Sequence, residues 1–166
     1  MMAFDIDDMV NEIKLIQDFS NIYELTDDEK EKLTGFTVDQ LQSIFSGLLC
    51  GINSIGFFSE AKRFNDYNFT PDQMNQIIDG CEKGVDYMQY ATPDFDDLQM
   101  KLIKDGMINS LDIDSYARDD FSWEQMYQIF DGLKAGIDVY QYNDPNLSVI
   151  DMITIKKELL GEASWN

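Results

Sequence analysis

From Phe36 onward, apolar residues recur with the spacing of a helix face, break off, and recur in the same order. Met126, Ile129, Phe130 and Leu133 stand at i, i+3, i+4 and i+7, and so do Met74, Ile77, Ile78 and Cys81. That period puts them on one side of an α-helix. No strand pattern competes with it. The chain is therefore expected to be all-α.

The pattern also repeats on a longer scale. "FTPDQMNQIIDGCEKGVDYMQY" from Phe69, "FDDLQMKLIKDGMINSLDIDSY" from Phe95 and "FSWEQMYQIFDGLKAGIDVYQY" from Phe121 follow at intervals of 26 residues. Gln73, Gln99 and Gln125 align, as do Met74, Met100 and Met126, then Ile77, Ile103 and Ile129. Gly80, Gly106 and Gly132 align, and Tyr90, Tyr116 and Tyr142 close the unit. An earlier copy starts at Phe36, with Gln40, Leu41, Ile44, Gly47 and Leu48, and an insertion of seven residues follows it. A worn last copy starts near Leu147 and carries Glu158 where the glycine should be. A fixed period of this length predicts a helical repeat array, in which stacking buries the stripe that one unit cannot bury alone.

Each copy begins with a helix-start signal. Thr70-Pro71-Asp72-Gln73 combines a capping box with proline at the first helical position. Thr37 to Gln40, Ser122 to Gln125 and Thr26 to Glu29 repeat the box. Gly84 and Gly136 suit left-handed caps at the helix ends. Asp86, Asp112 and Asp138, with Asn53 in the first copy, suit the N-cap of a second helix of one or two turns. The repeated tyrosine would pin that short helix to the long one. Gly80, Gly106 and Gly132 fall inside the long helix, where glycine costs ~1 kcal/mol against alanine. Close approach of a neighbouring backbone is the expected offset. The predicted architecture is one domain over 1–166. It has an N-terminal helical cap at 1–35, repeats of a long helix plus a short one at 36–146, and a degenerate terminal repeat serving as a cap helix at 147–166.

Composition changes the picture in one respect. The 166 residues carry 32 acids and 12 bases, a formal charge of -20. A magnitude of ~2–8 is enough for the solubility of a small domain. Direct binding to nucleic acid or anionic lipid is not expected, because both need clustered Lys and Arg. A basic partner is the electrostatic complement. Residues 1–35 hold ten acids and three bases, 36–63 two and two, and 64–155 eighteen and five. The uncharged stretch Gln40–Ser59 has the length of a bilayer span. Its polar residues, its three glycines and its register with the soluble repeats argue against one. The opening "MMAFDIDDMV" lacks the basic start and apolar run of a signal peptide, so a cytoplasmic location is expected. Cys50 and Cys81 are expected to be buried thiols.

Repetition turns recurring acids into rows. Asp79, Asp105 and Asp131 lie 26 residues apart, each just before the repeated glycine. Asp86, Asp112 and Asp138 form a second row, which N-capping already explains. An Asp near a helix C-terminus opposes the macrodipole, so folding gains nothing obvious from the first row. Packed helices lie ~8–10 Å apart, a spacing close to that of phosphates along a nucleic acid.

Catalytic chemistry finds little support. The chain has no histidine, which removes the commonest general base and metal ligand. Two isolated cysteines cannot make a zinc site. No phosphate-binding glycine loop is present. "DIDSYARDDFSW" fails as a calcium loop, with Ala117 at position 6 and Trp123 at position 12 in place of glycine and glutamate. No enzyme, cofactor or metal is expected.

The segment "QMYQIFDGLKAGIDVYQY", and with it about Phe36 to Leu160, resembles a short repeat, QM-x-x-I-x-x-G-L-x-x-G-[IV]-D-V-x-x-Y. That repeat is associated with proteins of Gram-positive phages and conjugative elements. The resemblance implies a mobile-element origin and brings no catalytic residue with it. The expected function is an acidic inhibitor that mimics nucleic acid and blocks the basic channel of a host defence nuclease, of anti-CRISPR or antirestriction type. Asp79, Asp105 and Asp131 would carry the contact, then Asp119, Asp120 and Glu124, with Asp86, Asp112 and Asp138 behind them. The alternative is a non-enzymatic adaptor that binds a protein partner, or a second copy as a homodimer, through the neutral segment 36–63 with Phe57 and Phe58.

Overall fold

The computed structural model describes residues 6–64 and 68–161. The outermost parts of the two predicted caps, 1–5 and 162–166, lie outside them. The described residues form eight α-helices and three 3-10 turns, with no strand. The chain divides into two compact units, Met1–Glu82 and Lys83–Asn166.

In the N-terminal unit, α1 (Ile6–Tyr23), α2 (Asp27–Lys32), α3 (Val38–Leu49), α4 (Ser54–Phe64) and α5 (Pro71–Glu82) follow in order. The central element is α3, which packs against α1, α4 and α5, while α2 rests on α4. Leu41 and Ile44 of α3 are wholly enclosed, as are Leu33 and Met74. Each such side chain contributes about 1.5–3 kcal/mol through burial. Phe58 meets Phe57 and Phe69 edge-on, with ring centroids 5.0 and 6.0 Å away.

In the C-terminal unit, α6 (Asp97–Ile108), α7 (Trp123–Ala135) and α8 (Val149–Leu159) alternate with 3-10 turns at Tyr87–Gln89, Ile113–Ser115 and Val139–Gln141. The middle helix α7 packs against both α6 and α8. Met100, Ile103, Met126, Ile129 and Met152 are fully buried between them.

The start signals fold as capping boxes at Thr26, Thr37 and Ser122, and Asp96 with Gln99 makes a further one. The reciprocal pair at Thr70 is also formed, with Thr70 N–H donating to Gln73 Oε1 at 2.8 Å. The glutamine has a second use. Its Oε1 closes the box, and its Nε2 reaches on to the chain that starts the following copy. Gln40 donates to Phe69 O at 2.7 Å, Gln99 to Phe121 O at 2.6 Å and Gln125 to Leu147 O at 2.7 Å. A buried amide left half-satisfied would cost about 1–3 kcal/mol. This bond therefore explains why glutamine recurs where glutamate would serve the cap alone.

Gly106 and Gly132 are notches for a side chain, whereas the sequence suggested close backbone approach. A Cβ on Gly106 would lie 1.9 Å from Tyr116 Oη, and one on Gly132 1.9 Å from Tyr142 Oη. Through the notches Tyr116 Oη donates to Leu102 O (2.9 Å) and Tyr142 Oη to Gln128 O (3.1 Å). Both tyrosines are enclosed, at 0% and 1% exposure.

Two further expectations need correction, while the expectation that Gln40–Ser59 is not a membrane span is met. The short helix after α6 and α7 is a single 3-10 turn, because the left-handed Ser110 or Gly136, the Asp at the turn's start and the anchored tyrosine leave room for only three residues. After α3 the seven-residue insertion lets it lengthen into α4. Cys50 is exposed and Cys81 half-buried, since Cys50 lies at the C-cap of α3, past the last packed turn. Gln40–Ser59 is broken into α3 and α4 by Gly51 (φ 79°), and no described helix is long and apolar enough to cross a membrane.

Candidate acidic interface

The first row of aspartates is built into the fold. Lys101 Nζ approaches Asp105 Oδ2 at 2.5 Å, one helical turn away on α6. Lys156 Nζ reaches from α8 to Asp131 Oδ2 on α7 at 2.6 Å and also donates to Gln128 Oε1 at 2.7 Å. Lys156 is 8% exposed. It occupies the register that holds Phe130 and Ile78 in other copies, with Lys104 there in a third. A buried ammonium needs a carboxylate and a further acceptor. Asp131 supplies the former, which gives a folding reason for an acid near a helix C-terminus. Asp79 is not free either. The row therefore does not present three unneutralised carboxylates.

The second row has the better claim to solvent. Asp86, Asp112 and Asp138 are exposed at the starts of the 3-10 turns. Asp86 accepts from Met88 N–H at 3.3 Å and Asp138 from Tyr140 N–H at 3.2 Å, as caps do. Asp112 makes no cap bond; its Oδ2 accepts from Tyr140 Oη at 2.8 Å. Tyr140 therefore holds its proton above the usual range, first through that hydrogen bond, then through the charges of Asp112, Asp114 and Asp138. Asn143 Nδ2 donates to Ser115 O (3.2 Å), a second link between the same two turns. The result is a braced edge carrying three carboxylates around a tyrosine that is 68% exposed. Asp114, position 3 of the rejected calcium loop, is not among the acids expected at the interface; its signal is that it shares a register with the exposed Met88 and Tyr140.

The remaining acids divide. Asp120 is paired with Arg118 Nη2 at 2.5 Å, Asp119 is exposed, and Glu124 is half-buried in the first turn of α7. Tyr116, at position 5 of the rejected calcium loop, is a core residue. Among the described residues no group of three His, Cys, Asp or Glu could hold a metal ion. An open polar groove of about 560 Å³ lies between α3 and α5, lined by Asp39, Gln42, Ser43, Ser46, Asp72 and Asn75. Ser43, its most buried polar group, already has partners in Asp39 O and Pro71 O. In the neutral segment, Phe58 is a core residue at 2% exposure, and Phe57 is half-buried against it. Leu49 is its exposed large apolar residue among those described.

No protein-family model, no curated protein and no solved structure matches the chain.

Proposed function

We propose that this chain is an acidic, non-enzymatic binding protein that occupies the basic nucleic-acid channel of a partner and blocks it, as an inhibitor of anti-CRISPR or antirestriction type. The observation that carries the reading is the edge formed by Asp112, Asp114 and Asp138 around Tyr140. Its carboxylates are braced from within the unit, so little order is lost on binding. Tyrosine at the centre of an acidic rim suits a partner rich in Arg and Lys, through cation–π contact and charge-assisted hydrogen bonds. The formal charge of -20 would steer such a partner in. Asp105 and Asp131, paired with Lys101 and Lys156, enter this reading as structural acids.

A finer reading of the fold accompanies it: successive copies stack as an array closed by capping helices. In support, α8 carries exposed Asp151, Thr154 and Glu158 where α7 buries Gln125, Gln128 and Gly132. A polar outer face of this kind ends a stack.

The test is inhibition of a panel of CRISPR effectors and restriction nucleases, with duplex DNA as competitor. A nuclease that the chain inhibits should be released about tenfold or more by Asp112→Asn/Asp114→Asn/Asp138→Asn. Affinity should collapse at ~0.5 M salt. Asp105→Asn/Asp131→Asn should weaken inhibition less than the turn-edge variant. Inhibition that ignores both salt and the turn-edge variant would remove the proposal.

A further inference from the structure

We infer that α1 is a strap, docked on α3 but able to open without unfolding the rest of the N-terminal unit. Three observations point the same way. None of the side chains described in this 18-residue helix is fully buried, and Val10, Ile13 and Ile22 are 55%, 47% and 70% exposed. Its neighbour α3, by contrast, buries six residues.

The attachment is also narrow. Phe19 stacks on Phe45 of α3 with centroids 3.7 Å apart, and Gly35 N–H donates to Glu12 Oε1 at 3.2 Å. Beside that bond Lys62 donates to Gly35 O and lies over the Phe36 ring; burial lowers its pKa, opposed by the charge of Glu12. Among the described residues the clasp includes one ring stack and one polar contact, and Leu15 and Ile16 of α1 are only half-buried.

The hinge stores strain. Glu24, which joins α1 to α2, has φ 52°, a left-handed conformation unfavourable for a residue with a Cβ. The last turn of α1 has no basic residue to offset the helix dipole. Helices in proteins draw most of their stability from packing an amphipathic face, so release from α3 melts α1. Opening uncovers Phe45, which is 3% exposed when α1 is docked. Local opening of this kind runs from microseconds to seconds.

Native-state hydrogen exchange on the full chain tests the inference. Amides of α1 should be protected at least ~100-fold less than the central amides of α3. Phe19→Ala should raise α1 exchange about tenfold or more and widen that gap. Glu24→Asn should narrow it, because asparagine tolerates the left-handed region. The substitution leaves the core untouched and so gives an answer even if Phe19→Ala fails to fold. Equal protection of α1 and α3, or variants that shift both helices together, would make α1 part of one cooperative unit and overturn the strap.

Discussion

The segment after α3 and the segments after α6 and α7 solve one problem with different residues. In each case a glycine opens the face of the long helix, and a hydroxyl enters to donate to a helix carbonyl. After α6 and α7 the donor is a tyrosine, Tyr116 or Tyr142, anchored behind a 3-10 turn. After α3 it is Ser54, whose Oγ donates to Ile44 O at 2.6 Å. A Cβ on Gly47 would lie 2.8 Å from Ser54 Cβ. The seven-residue insertion brings a whole helix close enough for a short side chain. Without it the chain stays farther out and a phenol bridges the gap. What is shared is therefore the notch and the carbonyl, while the donor depends on how near the next segment runs.

The largest expected effect separates the two solutions. Gly132→Ala places a methyl 1.9 Å from Tyr142 Oη and 3.1 Å from Val139 Cγ1. Tyr142 is enclosed, so its ring cannot swing aside. The loss should be about 3 kcal/mol, from overpacking plus a broken buried hydrogen bond. Gly47→Ala places its methyl 2.8 Å from Ser54 Cβ and 3.3 Å from Ile78 Cδ1, milder clashes than 1.9 Å, and should cost about 1–2 kcal/mol. Urea unfolding measures both. Adding Tyr142→Phe to Gly132→Ala should recover part of the loss, since it removes the atom struck. Equal costs at the two glycines would mean that the solutions do not differ in rigidity.

Alkaline titration sharpens the comparison, because phenols ionise and the Ser54 hydroxyl does not. Burial, then the charge of Asp131, pushes the Tyr142 pKa up to about 12, and burial raises that of Tyr116 further. Unfolded tyrosine ionises near ~10. A pKa raised by folding gives stability that is whole below about pH 10 and lost as pH rises through about 12. Tyrosinate absorbance should therefore rise in two stages. The later stage should coincide with loss of helical signal from the C-terminal unit and shrink by the amplitude of two phenols in Tyr116→Phe/Tyr142→Phe, leaving the enclosed Tyr90. Ionisation of all eight tyrosines in one step near pH 10 would show the latches to be loose.

Much of the local structure was legible because repetition exposes it. The Thr/Ser-to-Gln boxes, the left-handed Gly84 and Gly136 and the cap at Asn53 all follow from residue chemistry within four positions. What depended on longer reach was harder to read. The notch had a usable signal, since Gly106 and Gly132 each stand ten residues before the tyrosine that fills them. Lys156 also had one, as a charge in a core register. Its partner Asp131 lies 25 residues back, so the pair becomes visible only when α7 and α8 are set side by side. In sequence Asp131 has no folding purpose until Lys156 is placed against it. The half-covered state of α1 was not legible at all. Its apolar residues suit a packed face, yet Val10, Ile13 and Ile22 stay exposed, because how much of that face meets α3 is set by tertiary packing.

The smallest expected effect concerns the position just past each helix. Gly51, Gly84 and Gly136 occupy it with φ of 79°, 71° and 72°, and Ser110 occupies it after α6 with φ 55°. The bonds that need this bend are the same. Ile52 N–H donates to Gly47 O at 2.9 Å, Leu111 N–H to Gly106 O at 2.9 Å and Ile137 N–H to Gly132 O at 3.1 Å. Ser110 thus makes the turn against the preference of its Cβ, a cost of roughly 1–2 kcal/mol. Ser110→Gly removes that cost but loosens the unfolded chain, which returns about 0.5–1 kcal/mol. The net gain should be a few tenths to ~1 kcal/mol, read as a higher urea midpoint at unchanged slope. Gly136→Ser should lose about as much. Destabilisation by Ser110→Gly would mean that the serine hydroxyl has a stabilising contact of its own, and that α6 ends by a device its neighbours lack.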